Sequence, residues 1–377
     1  MPRFDLIVLG LGGVGSSALY HAARRGKKVL GIDRFAPGHD RGSSHGETRI
    51  IREAYFEHPD YVPLLTRSYR LWHELEHFTG RPLFHQVGLL QVGPEGGVVV
   101  PGVLRSARSH GLSIEQFTAD EVRRRFPGVA VRSGDIAALE KRAGYLMVER
   151  CVLAHLEAAR RHGASRIDQV TAQAWEATSN GIAVRAGGET FLADRLVIAA
   201  GAWSNDLLHA LRVPLKVLRK HLYWFADGSS DYLRTRGFPT FFFESPSGMF
   251  YGFPQIDSLG LKVARHSGGI EIDDPTDDPR PPDPEDRRLV REFLDQSLPG
   301  VGPTLTREKT CFYTMSPDEH FIIDRHPDDP RVAFAAGLSG HGFKFTSGLG
   351  EILVDLALDG GTSQPIDFLS LKRLTAQ

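Results

Sequence analysis

The sequence predicts a mixed α/β protein in which a nucleotide-binding domain is interrupted by an inserted β-rich domain. Three observations favour this fold class. An apolar strand runs into a glycine-rich turn and a helix in the segment DLIVLGLGGVGSSA, and the same order of elements recurs at residues 332–358. Strands rich in aromatic residues are expected over residues 216–270. The length of 377 residues exceeds one typical core, which favours two domains.

The first part of the chain reads as a βαβ unit followed by a long loop. Apolar runs predict a strand at 5–9, a helix at 13–25 and a second strand at 28–33. The Arg-rich stretch RFAPGHDRGSSHGETRIIREAY has no apolar periodicity, and loops of this length are usually functional or disordered. Residues 61–78 then favour a helix, and residues 83–140 mix short strands with amphipathic segments.

The nucleotide-domain pattern resumes from Leu146. We expect a helix at 148–163, a short strand at 167–170, and then a meander with turns at its Asn-Gly and Gly-Gly pairs. A strand at 195–201 and the turn AGAWS close this block.

A helix cap is predicted at the end of the acidic run 273–286, which we otherwise expect to be a solvated loop. Asp283 stands at the N-cap position, Pro284 at the first helical position and Asp286 at the third. The last block, 332–358, then returns to the nucleotide domain. The predicted domain division follows from this order: residues 1–82, 146–214 and 315–377 form the nucleotide domain, and residues 83–145 and 215–314 form the inserted substrate domain.

The composition excludes several classes of function. A formal net charge of −1 gives no reason to expect nucleic acid or an acidic membrane surface as a partner. No apolar stretch approaches the roughly 18 residues of a membrane helix, and Asp5 interrupts the apolar N-terminus that superficially resembles a signal peptide. The two cysteines, Cys151 and Cys311, cannot build a disulfide framework and fit a reducing compartment. We therefore expect a cytoplasmic protein.

The N-terminal glycines predict a dinucleotide site of Rossmann-like topology. Gly10, Gly12 and Gly15 form G-x-G-x-x-G directly after a strand and at the start of a helix, which directs free backbone N–H groups at a pyrophosphate. Asp33 ends the second strand 18 residues beyond Gly15, where it can accept from a ribose hydroxyl. An acid there disfavours the 2′-phosphate of NADP. The motif itself does not decide between FAD and NAD.

Several cations stand in loops rich in glycine or aromatic residues. Arg49 and Arg52 flank two isoleucines in TRIIR, Lys344 lies between two phenylalanines, and the strand LKVARH places Lys262 and Ala264 on one face. Most Lys and Arg side chains are merely solvated surface charges. In this context they favour a basic cavity, which suits an anionic group such as a substrate carboxylate.

Cys311 has two interpretations on the residues alone. A free cysteine most often packs as a small buried apolar group, and this interpretation holds for Cys151 within its amphipathic helix. For Cys311 a functional role stays open, since a tyrosine and a Gly-rich turn with histidine and lysine follow it. No metal site is expected in this sequence.

Motifs along nearly the whole chain resemble those of the monomeric sarcosine oxidase and N-methyltryptophan oxidase family of FAD-dependent amine oxidases. The matching segments are DLIVLGLGGVGS, RGSSHGETRIIREAY, YGFPQIDSLGLKVARH, CFYTMSPDEHFIID and GLSGHGFKF, in this order. The resemblance implies a Rossmann-like FAD domain with an inserted β-rich domain, as in D-amino-acid oxidases. It also implies FAD bound covalently as a thioether to Cys311, and a monomer.

The resemblance further implies roles for individual residues. Lys262 would lie beside the flavin, where oxygen reacts. Arg49 and His45 would lie beside the flavin ring system. The catalytic cavity would be lined by Tyr251, His266 and Tyr313. Arg52 and Lys344 would hold the substrate carboxylate, with Tyr251 and Phe242 as further substrate contacts. The cofactor contacts implied are Gly10, Gly12, Gly13, Val14, Gly15, Asp33, Arg34, Ser43, Ser44, His45, Arg49, Val170, Ala200, Gly201, Trp203, Gly340, His341, Gly342, Phe343, Lys344 and Cys311.

The expected activity is oxidation of a secondary amine, such as sarcosine or another N-methyl amino acid, by FAD and O₂. Phe242 departs from the family pattern, because sarcosine oxidases tend to have a smaller apolar residue there, and this leaves the substrate's size open. The alternatives are an oxidase of N-methyltryptophan, pipecolate or a glycated amino acid. More distant alternatives are an NAD-dependent dehydrogenase and a nucleotide-binding sensor without catalysis.

Overall fold

The computed structural model describes residues 2–375. Within them lie nine α-helices, and their bounds are α1 (Gly13–Arg24), α2 (Tyr61–Thr79), α3 (Val99–His110), α4 (Ala119–Arg125), α5 (Val148–Arg161), α6 (Ser204–Leu208), α7 (Pro284–Ser297), α8 (Thr346–Leu358) and α9 (Lys372–Thr375). The strands in the same residues are β1 (Arg3–Leu9), β2 (Val29–Ile32), β3 (Thr48–Ile51), β4 (Phe84–Gln86), β5 (Leu89–Pro94), β6 (Glu115–Thr118), β7 (Asp135–Glu140), β8 (Gly144–Met147), β9 (Ser165–Ile167), β10 (Ala172–Thr178), β11 (Gly181–Ala186), β12 (Glu189–Ile198), β13 (Lys216–Ala226), β14 (Thr240–Ser245), β15 (Gly248–Phe253), β16 (Leu261–Arg265), β17 (Ile270–Ile272), β18 (Thr304–Met315), β19 (Ile322–His326) and β20 (Asp329–Ala336).

The first sheet has eight strands and carries the N-terminal βαβ unit. Its main order is β10-β11-β12-β1-β2-β9, and β20 pairs with β12 while β19 pairs with β20. The pairs β12–β1, β1–β2, β2–β9 and β12–β20 are parallel. Helices α1, α2, α5 and α8 share one hydrophobic core with Leu6 and Val8 of β1. This arrangement is that of a dinucleotide-binding domain, in which ligands lie beyond the carboxyl ends of parallel strands.

The second sheet has nine strands, and its two faces have different neighbours. Its main order is β17-β13-β16-β15-β14-β5-β7-β6, with β18 paired to β13. Phe241, Phe243 and Phe250 pack on one face against Phe293 of α7. The alternate residues, Phe242 among them, pack on the other face with Cys311, and this face packs against Ile50 of β3 and Tyr145 of β8.

A third, small sheet has the order β3-β8-β4. It joins the Arg-rich loop region to segments near the predicted boundary at residue 145. The strands of the two large sheets come from alternating segments of the chain, which accords with the predicted division, although the domain boundaries themselves stay a prediction.

Most elements that the sequence predicts are present, with bounds that differ by a few residues. The N-cap of α7 is confirmed: the Asp283 side chain accepts from the N–H of Asp286, and Pro284 is the first helical residue. The strand predicted at 167–170 is misplaced, since β9 ends at Ile167. Gln169 has a φ of 61°, which turns the chain away from the strand direction. The Arg-rich loop is ordered and contains β3.

Candidate active site

One long cavity runs from the glycine-rich turn after β1 to the aromatic face of the second sheet. It is lined by every predicted substrate residue and by every predicted catalytic residue except Lys262. Of the predicted cofactor residues, all but Gly15, His45 and Cys311 line it. Those three and Lys262 lie in the layer of residues behind the lining.

The glycine-rich end of the cavity has no room for side chains. A Cβ on Gly15 would lie 1.7 Å from the carbonyl oxygen of Gly10, and a Cβ on Gly10 would lie 2.5 Å from the carbonyl oxygen of Ala199. Gly10 also has a φ of +84°, which favours glycine. The N-cap of α1, Gly12, offers no side-chain cap, so the helix N-terminus depends on other partners for its free N–H groups. One of these, the N–H of Gly13, donates to Ser44 Oγ at 3.0 Å.

Asp33 follows β2 and shapes the same end. Its Oδ2 accepts from the N–H of Leu11 at 2.5 Å, and its Oδ1 accepts from the N–H of Phe35 at 2.8 Å. Burial raises the pKa of this carboxyl, and the two N–H donors oppose that effect. Asp33 thus links the glycine-rich turn to the loop after β2 and still lines the cavity. The N–H of Val170 donates to the Asp33 carbonyl at 2.9 Å, which places Val170 at the same wall.

A loop of the second domain closes over this wall. Thr276 Oγ1 accepts from Arg34 Nη1 at 2.8 Å and from Trp203 Nε1 at 2.9 Å. The Arg34 guanidinium lies 5.3 Å from the Trp203 ring centroid. The acidic run 273–286 is exposed over most of its length, but Asp278 is buried in an ion pair with Arg219, so the expectation of a wholly solvated loop is wrong at this point.

The middle of the cavity carries Arg49 and, behind it, His45. Arg49 donates to the carbonyl oxygens of Thr48 at 2.9 Å and Ser43 at 3.1 Å. His45 is 1% exposed, and neither of its ring nitrogens has a hydrogen-bond partner among the described residues. Burial, and next the charge of Arg49, lower the pKa of His45 to about 3. A neutral, buried imidazole without a partner fits a site completed by a polar ligand.

Cys311 lies in β18, directly opposite Lys220 of β13. Its side chain is 1% exposed and belongs to the same cluster as Tyr313, which does line the cavity. The Lys220 ammonium donates to the carbonyl oxygens of Ser267 and Gly268, each at 2.8 Å. Burial lowers the pKa of Lys220 to about 8. The thiol is therefore one residue layer from the cavity, beside a buried cation.

Lys262 is 3% exposed and is held by oxygen acceptors. Its ammonium donates to the carbonyl of Gly46, and to the carbonyl and hydroxyl of Thr48 at 2.9 and 3.1 Å. Burial, and next the charge of Arg49, lower its pKa well below the ordinary value. Three acceptors match the three donors of an ammonium group. The predicted alternation of side chains along β16 is confirmed. Ala264 packs with the cluster that contains Cys311, whereas Val263 packs with the cluster on the opposite face that contains Phe293.

Arg52 is paired with a carboxylate that the sequence did not reveal as a site residue. Its Nη2 donates to both carboxylate oxygens of Glu57 at 2.7 Å, and its Nη1 donates to the carbonyl of Ala54 at 3.2 Å. The guanidinium lies over the rings of Tyr55 and Phe56, at 4.1 and 4.4 Å from their centroids. Burial acts to raise the pKa of Glu57, but Arg52 and its cationic neighbours hold it at about 2.

Lys344 completes the cationic end of the cavity. Its ammonium donates to the carbonyl of His341 at 2.7 Å and to the Tyr55 hydroxyl at 3.4 Å. Burial, and next the charge of Arg52, lower its pKa to about 7. His341 is fixed by the Tyr55 hydroxyl at 2.6 Å on Nδ1 and by the carbonyl of Glu319 at 3.0 Å on Nε2. Arg52 and Lys344 thus share the neighbours Tyr55 and Glu57.

An aromatic wall faces these cations. His266 Nδ1 lies 3.4 Å from the Tyr313 hydroxyl, and burial lowers the pKa of His266 to about 3. The Phe242 ring centroid lies 5.6 Å from that of His266 and 5.3 Å from that of Phe56. The Tyr251 ring lies beside His266 at 6.2 Å. This wall is apolar except for two phenol groups and one neutral imidazole.

Sequence reasoning missed Glu57, Tyr55 and Glu140, which together surround Arg52. The one available signal was for Tyr55, which ends the long Arg-rich stretch, since ordered long loops are often functional. Glu57 and Glu140 lie outside every segment identified as a motif in the sequence.

The features of the cavity fit an FAD molecule. The glycine cradle leaves space for a pyrophosphate at the N-terminus of α1, and Asp33 stands where a ribose would lie. The unpartnered nitrogens of His45, the half-buried Arg49 and the buried Lys262 surround the middle of the cavity, where a ring that gains negative charge on reduction would meet positive charge.

Within residues 2–375, no group of three or more His, Cys, Asp or Glu side chains is arranged to hold a metal ion. Among the helices of the described residues, none is both long and apolar enough to cross a membrane.

Comparison with known proteins shows similarity over the whole chain. The family model "FAD dependent oxidoreductase" matches residues 5–356. The monomeric sarcosine oxidase of Streptomyces avermitilis is 42% identical over 100% of this chain and 99% of its own length. The N-methyl-L-tryptophan oxidase of Yersinia pestis is 39% identical over 98% of this chain and 99% of its own. The solved structure of NikD, titled an unusual amino acid oxidase essential for nikkomycin biosynthesis, has a TM-score of 0.87 at 23% identity and covers 98% of both chains.

Proposed function

Because the chain belongs to the family of FAD-dependent oxidoreductases and, within it, to the group of monomeric sarcosine oxidases and N-methyl-L-tryptophan oxidases, we propose that it oxidises the C–N bond of a secondary amine that carries a carboxylate. The proposed substrate is sarcosine or another N-methyl amino acid. For sarcosine, one molecule each of substrate, O₂ and water gives glycine, formaldehyde and hydrogen peroxide.

The observation that carries the proposal is the pair of buried cations, Arg52 and Lys344, at the end of the cavity opposite the glycine-rich turn. Arg52 already accommodates one carboxylate, that of Glu57, so its surroundings suit this group. A substrate carboxylate would bind between Arg52 and Lys344 as Glu57 gives up part of its pairing.

When bound, FAD would supply the electron acceptor for a hydride equivalent from the carbon next to the amine nitrogen, with O₂ as the final acceptor of both electrons in hydrogen peroxide. Cys311 would hold it through a thioether, and Gly10, Asp33 and Arg49 would contact its successive parts. Lys262 would place positive charge where oxygen is reduced.

The aromatic wall orients the amine. His266 stays neutral near pH 7, because burial keeps its pKa at about 3, so its ring can accept a hydrogen bond from the substrate nitrogen. Tyr313 and Tyr251 lie beside it and would exclude water from the reacting carbon. The fold thus holds the carboxylate at one side and the C–N bond at the other.

A second candidate is oxidation of a bulkier amino acid. It would be either an N-methyl amino acid with a large side chain, such as N-methyltryptophan, or a cyclic amino acid, such as pipecolate. The observation in its favour is that Phe242, Phe56 and Tyr251 offer aromatic surface at this end of the cavity. Against it, Phe242 packs between Phe56 and His266 and narrows the space for a large side chain.

A substrate panel tests the proposed function. Sarcosine, N-methyl-L-tryptophan, pipecolate and a glycated glycine are compared, with sarcosine methyl ester as the control that lacks a carboxylate. Sarcosine should give equal amounts of peroxide and formaldehyde and the ester far less. Reduction of added NAD without peroxide would contradict the proposal and favour a dehydrogenase. Peroxide from pipecolate or N-methyl-L-tryptophan alone would favour the second candidate.

We also propose that the protein is a monomer in the cytoplasm, on the support of the name of the Streptomyces avermitilis relative and of the two-cysteine composition. Gel filtration with light scattering checks the first part.

A further inference from the structure

A buried carboxyl group, Glu140, lies behind the cationic end of the cavity. It is the last residue of β7 and is 3% exposed. Its Oε1 accepts from the backbone N–H of Glu53 at 2.7 Å, and its Oε2 accepts from the backbone N–H of Ala54 at 3.1 Å. A strand of the second sheet therefore holds two consecutive peptide groups of another part of the chain.

The segment held in this way contains Arg52, and we call residues 52–57 the Arg52 segment. It wraps around its own first side chain, since the Arg52 guanidinium donates to the carbonyl of Ala54 and pairs with Glu57. Ala54 therefore connects the two groups: its N–H is fixed by Glu140 and its carbonyl accepts from Arg52. A shift of this residue would move the guanidinium with it.

We propose that Glu140 is a positioning residue for the substrate, which places the Arg52 guanidinium where it meets a carboxylate by holding the backbone of Glu53 and Ala54. This rests on the proposed function, since it takes Arg52 to bind the substrate carboxylate. Glu140 lines no part of the cavity and touches no reacting atom.

The charges around Glu140 make this contact sensitive to pH. The groups that face it are Arg52 and Glu53 of the adjoining segment, and the Tyr69 phenol of α2 and Arg142 near β7 share the same surroundings. Burial raises the pKa of Glu140 to about 7. A protonated carboxyl keeps one acceptor oxygen and turns the other into a donor, so it can no longer serve both N–H groups.

Glu140 and Lys344 both titrate near neutral pH, and their titrations have opposite effects on carboxylate affinity. As the pH falls through about 7, Glu140 becomes protonated and the hold on Ala54 weakens. As the pH rises through about 7, Lys344 loses its proton and one positive charge leaves the site. Carboxylate affinity should therefore be greatest near neutrality. The acid side of this profile belongs to Glu140.

The test uses methoxyacetate, an ether of the same shape as sarcosine that has no C–N bond to oxidise. Its dissociation constant is measured on the flavin-loaded enzyme from the change in flavin absorbance, between about pH 5.5 and about pH 9, a range in which a carboxylate ligand stays ionised. Glu140→Gln should weaken binding at pH 8 by about tenfold, the scale of a lost hydrogen bond to a charged group. It should also abolish the decrease in affinity on the acid side.

Glu53→Gln is the matched control. Glu53 is equally buried at 3% exposure, but its carboxylate accepts from Thr66 Oγ1 at 3.3 Å and meets Arg142 at 3.4 Å, and it holds no backbone N–H group of the Arg52 segment. The Glu53→Gln variant therefore loses a buried negative charge near Glu140, as Glu140→Gln loses its own. Its methoxyacetate affinity at pH 8 should remain that of the wild type. The decrease on the acid side should persist but move to lower pH, because the charge of Glu53 helps to raise the pKa of Glu140.

Three outcomes would overturn the inference. One is a Glu140→Gln variant that binds methoxyacetate as the wild type does and keeps the acid-side decrease. If Glu140→Gln fails to load flavin, Glu140→Asp takes its place, because it keeps the charge and shortens the side chain. Unchanged methoxyacetate binding by Glu140→Asp is then the second outcome and would refute positioning. Weakened binding that keeps the decrease in affinity at acid pH would support it. The third is a wild type that oxidises sarcosine but does not bind methoxyacetate, which would remove the carboxylate site on which the inference rests while the proposed oxidation stands.

Discussion

The two ends of the cavity present different chemical groups. The glycine-rich end is made of backbone: N–H groups at the start of α1, a turn that excludes side chains, and one carboxylate that accepts from Leu11 and Phe35. The rest of the cavity, which we call the side-chain end, depends on buried charged side chains: Lys262 lies behind its middle, and Arg52 and Lys344 line the part opposite the glycines. Each is held by carbonyl, hydroxyl or carboxylate oxygens.

The difference separates cofactor binding, which depends on the backbone, from the reaction, which depends on buried cations. Backbone donors fixed in a helix and a turn cost little to desolvate and bind a constant part of a cofactor. Buried cations are costly to desolvate, and the lowered pKa values of Lys262 and Lys344 record that cost. Such groups are expected where charge changes during a reaction.

The largest effect should come from the backbone end. Gly15→Ala puts a Cβ 1.7 Å from the Gly10 carbonyl oxygen, so the turn must open and purified protein should carry no flavin. Gly26→Ala, at the other end of α1, is the control: a Cβ there meets nothing within 4 Å, and its φ of +73° costs only about 1 kcal/mol. Flavin absorbance per polypeptide measures both. Normal flavin content in Gly15→Ala would contradict the role of this turn.

The next effect concerns covalent attachment, which the second sheet would supply. Acid-precipitated wild type should remain yellow, whereas Cys311→Ala should give a colourless pellet while still binding flavin before precipitation, because the backbone end is intact. Cys151→Ala is the control, since that thiol is buried in the core around α5. A yellow pellet from Cys311→Ala would place the attachment elsewhere.

The backbone end could be predicted from the sequence, and the side-chain end only in part. Gly10 to Asp33 lie within one βαβ unit, where spacing in sequence fixes spacing in the fold. Arg52, Lys262 and Lys344 lie far apart in the chain, and only the resemblance to a family brought them together. Glu57 and Glu140 carried no signal, because their importance arises from tertiary contacts with Arg52 and Ala54.

A smaller effect should follow from removing one cation of the substrate pair. Arg52→Ala should weaken methoxyacetate binding by about 2–5 kcal/mol, since it also leaves Glu57 without its main partner. Arg67→Ala is the control, because Arg67 pairs with Glu351 between α2 and α8, away from the cavity. Titration of the flavin absorbance gives both values. Equal affinity in Arg52→Ala and wild type would remove Arg52 from the carboxylate site.

The division of roles within the side-chain end is tested most directly at Lys262. Lys262→Met keeps the length and removes the charge, and stopped-flow absorbance of the flavin follows reduction by substrate and reoxidation by O₂ in one preparation. We expect reoxidation to slow by about 100- to 1000-fold, the scale of one preorganised electrostatic contact, while anaerobic reduction changes little. Impaired reduction with unchanged reoxidation would show that Lys262 serves the amine substrate rather than oxygen, and would contradict the account.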